Sequence, residues 1–203
     1  MSASSNPSRS LPPSYFEQKY KVDIDPWRFR TSAYEREKYE ATIRALSKPR
    51  YRSGLEVGCA IGVLSALLSE RCDALLAVDG APTAIAEASL QDLPNVRFDT
   101  AFLPDEFPQG IFDLIVLSEV LYYFDEKDLE RLAERCLDAL DGQGEMILCH
   151  WLGETDYPLP GDRASDLFAN FVARRPATRV VLHEGIYRLE RLSLGDRDGG
   201  DAG

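Results

Sequence analysis

Positive charge, histidine and cysteine are all scarce in this sequence, and long apolar runs are missing. Its 203 residues carry 23 Lys plus Arg against 34 Asp plus Glu, a formal net charge of −11. That balance excludes a nucleic-acid backbone as main partner, since such a partner needs clustered cations. It suits an anionic membrane surface poorly, and its plainest effect is solubility. No apolar stretch approaches the roughly 20 residues of a membrane span. The Ser- and Pro-rich N-terminus has no apolar core, so no signal peptide is expected. Two histidines (His150, His183) and four cysteines (Cys59, Cys72, Cys136, Cys149) form no C-x-x-C pair and repeat no ligand spacing. No metal site is expected, and the thiols read as buried and reduced in a cytoplasmic protein. There is no G-x-x-x-x-G-K-[ST] loop for a nucleoside triphosphate, and no internal repeat.

What is present is organised around Leu55-Glu56-Val57-Gly58-Cys59-Ala60-Ile61-Gly62. It reads as a short buried strand ending in a glycine turn that feeds a helix over 63–72. A second apolar run, Ala74 to Val78, ends in Asp79-Gly80. A glycine turn after one strand and a carboxylate after the next is how doubly wound folds hold a nucleoside.

The rest of the chain alternates strand and helix. Residues 1–13 and 195–203 are expected to be disordered tails, flanking a single domain over 14–194. Within it, 14–47 forms a helical cap. Ser32-Ala33-Tyr34-Glu35 is a capping box, so a helix should start at Ala33. A helix over 83–90 follows the second strand. Strand three, at 96–98, ends in Asp99-Thr100, and strand four, at 112–117, ends in Ser118-Glu119. A long helix over 126–140, capped by Asp125, is closed by Asp141 to Gly144, and strand five spans 145–150. This alternation predicts an α/β, Rossmann-like, doubly wound and mostly parallel sheet with helices on both faces. After a helix over 163–173, two strands joined at Glu184-Gly185 predict a C-terminal antiparallel hairpin, for seven strands in all.

The glycine turn discriminates between cofactors. Dinucleotide binding uses G-x-G-x-x-G, and here Ala60 and Val63 replace the second and third glycines. Glu56, just ahead of the turn, repels a phosphate and suits a cofactor with a cationic near end. S-adenosylmethionine has an ammonium and a sulfonium, a ribose diol for Asp79, and no phosphate. Asp99 is placed to accept from an adenine amine, with Thr100 as a nearby donor.

At these residues the chain resembles the class I S-adenosylmethionine-dependent methyltransferases. Glu56 to Gly62 is similar to their first motif, with Ala60 at its usual middle glycine. Tyr15-Phe16-Glu17, Asp25-Pro26-Trp27, Tyr34 to Tyr39, Cys149-His150-Trp151 and Tyr157 to Asp162 resemble the nodulation S-type N-methyltransferases. That resemblance implies methylation of a free amine on an aminosugar, an oligosaccharide or a related small molecule. It also implies cofactor contacts at Glu56, Gly58, Ala60, Gly62, Asp79, Gly80, Asp99, Thr100 and Ser118. An NAD-dependent oxidoreductase and a non-catalytic binding protein of the same fold are the rival readings.

Methyl transfer is an in-line displacement with a neutral leaving group, so alignment and a dry approach matter most. Glu119 can hold the acceptor ammonium, take its proton or contact the cofactor. His150 is either a base or an orienting residue. Of Tyr122 and Tyr123, one is expected to face the pocket and one the core. Trp27, Tyr34, Tyr122 and Trp151 are the candidate acceptor-binding residues; Trp27, Tyr34 and Trp151 can stack on sugar rings or flank a cationic methyl group. His183 is expected to be structural. With little beyond the core fold to make a lid, an open cleft is expected, in a monomer or a homodimer.

Overall fold

The computed structural model describes residues 8–195. The expected tail segments at 1–7 and 196–203 lie outside the described residues. Residues 8–13 are not a loose tail. Ser10 Oγ donates to Asp128 at 2.7 Å and accepts from the Asp125 amide, and the Leu11 amide bonds the Tyr123 carbonyl at 2.9 Å. Gly195 is likewise tied, through its amide, to the Pro176 carbonyl.

Helix α1 (Pro13–Val22) starts on a proline, whose missing N–H is not needed in a first turn. Helix α2 (Ala33–Ala45) is capped by Ser32, whose side chain accepts from the Glu35 amide at 3.3 Å. The glutamate of that box does not reach back; it turns inward to Lys38. Then follow β1 (Tyr51–Val57), α3 (Val63–Ser69), β2 (Cys72–Asp79), α4 (Pro82–Ala88), β3 (Val96–Thr100) and β4 (Phe112–Ser118). Cys72, expected to end a helix, instead opens β2. A 3-10 turn (Leu121–Tyr123) leads to α5 (Glu126–Ala139), with Asp125 accepting from the Asp128 amide as its cap. Strand β5 (Leu140–Trp151) takes in the Asp141–Gly144 stretch expected to be a turn, with a register shift against β4. Helix α6 (Gly161–Val172) and strands β6 (Ala177–Glu184) and β7 (Tyr187–Leu194) complete the chain.

The sheet runs β3-β2-β1-β4-β5-β7-β6. Its first five strands are parallel, and β7 pairs antiparallel with both β5 and β6. Strand β4 is buried along its whole length, as a central strand covered on both faces must be. One face packs on α5, whose Leu129, Leu132, Ala133, Cys136 and Leu137 form an apolar stripe at helical spacing. The other packs on α2 and α3 through Tyr39, Leu64 and Leu68. Strand order reverses between β1 and β4, and at such a switch point the strands' carboxyl ends leave a crevice for ligands.

Candidate active site

The loops after β1, β2 and β4 meet over a cavity of about 270 Å³ at that crevice. Leu11, Phe16, Tyr20, Trp27 and Phe29, from α1 and the loop after it, wall it in. Trp27 is stacked on Phe29 with ring centres 5.6 Å apart.

One end is built by the glycine turn. Gly58, Ala60 and Gly62 have φ of 76°, 51° and 79°, so the chain doubles back tightly enough for the Gly58 and Cys59 amides to share the Val78 carbonyl, at 2.8 and 3.0 Å. A side chain at Gly58 would meet Val120 at 3.3 Å, so the backbone is bare where it faces the cavity. Ala60 holds the left-handed conformation without glycine's freedom, at a cost of about 1–2 kcal/mol. Asp79 accepts from the Ala60 and Ala81 amides, each at 2.9 Å, so both its oxygens are already engaged yet keep lone pairs for further donors. Burial raises its pKa, and these amides oppose the rise. Glu56 is only 2% exposed and takes a 2.5 Å hydrogen bond from Ser65 Oγ. Burial, opposed by that bond and reinforced by Asp79, lifts its pKa to about 8. A buried carboxyl so raised is mostly protonated near pH 7 and becomes a counter-ion when a cation docks beside it and displaces the proton. Gly80 lines the same end.

Three expected cofactor residues stand elsewhere. Gly62 caps α3 and is pressed against Ala88 and Phe98, so it serves packing and does not line the cavity. Asp99 and Thr100 are exposed, and Asp99 pairs with Arg97 at 3.7 Å. Both sit at the end of the edge strand β3, and the next residues, Ala101, Phe102 and Leu103, line the cavity instead.

The other end is built by Glu119, beside Ser118, which also lines the cavity. Glu119 has φ 55°, again left-handed. Its amide bonds the Cys149 carbonyl at 2.8 Å. Its Oε1 accepts from Lys38 Nζ at 2.6 Å, and its Oε2 from the Tyr122 hydroxyl and, at 3.1 Å, the Trp151 amide. Burial alone would raise its pKa, but Lys38, with His150 and the Tyr122 hydroxyl, more than offsets this and holds it below the usual carboxylate range. Such a group is a poor base. The sequence pattern does not single out Lys38 as a site residue. It is 1% exposed and bridges Glu119 to Glu35, 2.9 Å away. The signal was available: Glu35, Lys38, Tyr39 and Thr42 recur on one face of α2, a polar stripe where a packed helix should present apolar side chains.

His150 does not belong to the cavity. It is fully buried, its Nε2 accepts from the Leu121 amide at 3.1 Å, and its Nδ1 lies 3.4 Å from Ser165 Oγ. With Nε2 accepting, Nδ1 carries the proton. Burial depresses the pKa to about 4. His150 orients the 3-10 turn; it is not placed to take a proton from an acceptor. Both Tyr122 and Tyr123 line the cavity, against the expectation that one would face the core, and Tyr157 stacks on Tyr122 at 5.2 Å. Tyr34 also lines it, and its buried hydroxyl has no hydrogen-bond partner. Trp151, 39% exposed, stands on the wall. His183 stacks on Tyr187 in the hairpin, outside the cavity. Among the described residues no cluster of His, Cys, Asp and Glu is arranged to hold a metal ion.

This sheet order, with a glycine turn at the switch point and acidic groups at both ends of the crevice, is the architecture of the Rossmann-like methyltransferase class. Residues 14–150 match the family described as nodulation protein S (NodS), and the chain belongs to that family. Nodulation protein S of Sinorhizobium fredii (strain NBRC 101917 / NGR234) is 33% identical over 127 residues, covering 61% of this chain and 59% of that relative. The chain thus spans under two thirds of that curated relative. A crystal structure from Pseudomonas syringae, described as a candidate methyltransferase, is 39% identical, with a TM-score of 0.69 over 80% of this chain and 99% of its own. The NodS N-methyltransferase of Bradyrhizobium japonicum WM9, solved with S-adenosyl-L-homocysteine, has a TM-score of 0.73 over 89% and 98% of the two chains; at 22% identity it shows a shared fold.

Proposed function

We propose that the protein is an S-adenosylmethionine-dependent N-methyltransferase acting on an amine of an aminosugar, an oligosaccharide or a related small molecule. The observation that carries this reading is the layout of acidic groups in the cavity: Glu56 and Asp79 at one end, Glu35 and Glu119 at the other, and Lys38 as the cation between the latter two. Nothing in that layout suits a phosphate. It suits a cationic cofactor followed by a cationic acceptor.

When bound, the cofactor supplies an electrophilic methyl group. Glu56 would hold its ammonium, Asp79 its ribose hydroxyls and the bare backbone at Gly58 its near edge, with Phe102 and Leu103 beside the base. Glu35, Lys38 and Glu119 sum to one negative charge, which an acceptor ammonium balances. The relative described as an N-methyltransferase points the same way. Tyr122, Tyr123, Tyr157 and Trp27 exclude water and present aromatic faces, which favour methylated cations. The unpartnered Tyr34 hydroxyl and the half-exposed Trp151 support a hydroxylated, ring-shaped acceptor, since a sugar offers both a donor and a face to stack on. Four free and buried cysteines support a reducing compartment, the cytoplasm.

Calorimetry with S-adenosylmethionine or its demethylated product tests the cofactor, and the absence of binding below millimolar concentrations would sink the reading. A tritiated-methyl screen of deacetylated chitin oligomers, aminosugars and small amines tests the acceptor. Binding of NADH would favour an oxidoreductase. Cofactor binding without transfer to any amine would favour a regulatory protein.

A further inference from the structure

We propose that Lys38 is a positioning residue for methyl transfer: by bridging Glu35 and Glu119 it keeps Glu119 ionised on the cavity wall, so that the site recognises an acceptor amine through one uncompensated negative charge. The proposal rests on the methyltransferase reading and goes beyond it by assigning the acceptor end a fixed electrostatic state.

Three observations carry it. The first is geometric. A lysine 1% exposed, on a helix otherwise packed against the core, reaches 2.6 Å from Glu119 and 2.9 Å from Glu35. The second is backbone strain. Glu119 occupies the left-handed region at φ 55° without being glycine, and such strain persists where surrounding contacts over-determine it, as they do at functional sites. The third is the company Glu119 keeps. From α2 it faces Lys38, Glu35, Tyr34 and Tyr39. From the 3-10 turn it faces Tyr122 and Tyr123, and from β5 Cys149 and His150. Burial raises the tyrosines and Cys149 and lowers His150, so these stay neutral near pH 7; burial also raises Glu35, with Lys38 opposing the rise. Burial would lower Lys38 as well, but Glu119 and Glu35 outweigh it. Among the described residues Lys38 therefore carries the positive charge that faces Glu119, and removing it leaves a buried carboxylate with no described cation beside it to hold it ionised.

The sign follows. Without Lys38 the Glu119 pKa rises, and an activity that needs the ion is lost at low pH and regained as pH rises. The experiment replaces Lys38 by Met and by Arg. Glu119 is followed by carboxyl-carbon NMR, and kcat/KM is measured from pH 6 to 9 with S-adenosylmethionine and a fully deacetylated chitin oligomer. In the wild type Glu119 should not titrate in this range. In Lys38→Met it should titrate within the range, with kcat/KM down at least tenfold at pH 7 and recovering toward pH 9, while Lys38→Arg keeps the wild-type profile. A uniform loss across pH with an unchanged Glu119 resonance would overturn the proposal. Should Lys38→Met fail to fold, Lys38→Gln keeps a hydrogen-bond donor and removes only the charge, and it must bring the Glu119 titration into the range; no shift overturns the proposal. Calorimetry with S-adenosylhomocysteine separates the two levels. Equal binding by wild type and Lys38→Met leaves the profile as the test of Lys38, whereas no binding by the wild type overturns the methyltransferase reading and the proposal with it.

Discussion

Cofactor binding should release a proton, and Glu56 should be its source. In the protein alone burial holds the Glu56 pKa at about 8, well above the 4.5 of a free glutamate. At pH 7 about 0.9 of a proton therefore sits on Glu56, and an ammonium docking beside the carboxylate drives it off. Apparent affinity should then climb with pH, by about 50-fold between pH 6 and pH 8 if the paired carboxylate titrates well below 6. The sign is opposite for stability without ligand. The folded state binds the proton more tightly than the unfolded chain does, so this contribution is full below pH 4.5 and is lost as pH rises through about 8. Titration calorimetry with S-adenosylhomocysteine at pH 7, in two buffers of different ionisation enthalpy, reads the effect directly. The two binding enthalpies should differ by about 0.9 of the difference between the buffers. Glu56→Gln removes the titrating group, and with it both the buffer dependence and the pH slope. A binding enthalpy identical in the two buffers for the wild type would refute the reasoning, because it would mean that Glu56 is either ionised before binding or untouched by it.

Two further outcomes test the neighbouring assignments. Ala60→Gly removes a left-handed alanine; the relief of about 1–2 kcal/mol exceeds glycine's entropic cost of about 0.5–1, so chemical denaturation should show a gain of roughly 0.5–1 kcal/mol, and a loss would mean that the methyl group is packed usefully. His150→Gln should cost about 1–3 kcal/mol of stability through its lost buried hydrogen bonds while leaving kcat within about tenfold, whereas a true general base would cost about 10²–10⁴-fold.

The parts of the site that the sequence made legible are those governed by the backbone. A strand ending in Glu56-Val57-Gly58 and a second ending in Asp79 are local patterns, and parallel strands put their carboxyl ends together whatever else the chain does. Side-chain direction is less local. Asp99 and Asp79 both end strands, yet the β3 edge turns Asp99 to solvent and toward Arg97 while Asp79 faces the turn. Strand β3 is the edge of the sheet, and both Asp99 and Thr100 are exposed there, so ending a strand does not by itself bring a side chain to the crevice. Lys38 was missed for the opposite reason. Its helix was recognised from its cap, but a Lys on an amphipathic helix reads as solvated unless the partner is known, and its partner Glu119 lies 81 positions away. His150 was ambiguous because a strand-end residue can point into the crevice or into the layer of helices, and only the placement of Leu121 and Ser165 against it settles the matter.

The same long-range pairing decides what Glu119 does for stability. Replacing it by Gly would relieve a left-handed backbone, worth at most about 1 kcal/mol after glycine's entropy is charged against it. It would also take from Lys38 one of its two carboxylates, in a place where breaking a buried pair costs about 3–5 kcal/mol. The second effect wins, so Glu119→Gly should be less stable by about 2–4 kcal/mol in a denaturant titration, despite easing the backbone. If the variant proved as stable as the wild type, Lys38 would have to be satisfied by Glu35 alone. The ion triad would then be no more than packing. A large loss, in contrast, means that the strain at Glu119 is held in place by the ion pair across to α2, which ties the geometry of the acceptor end to a helix that lies outside the parallel sheet.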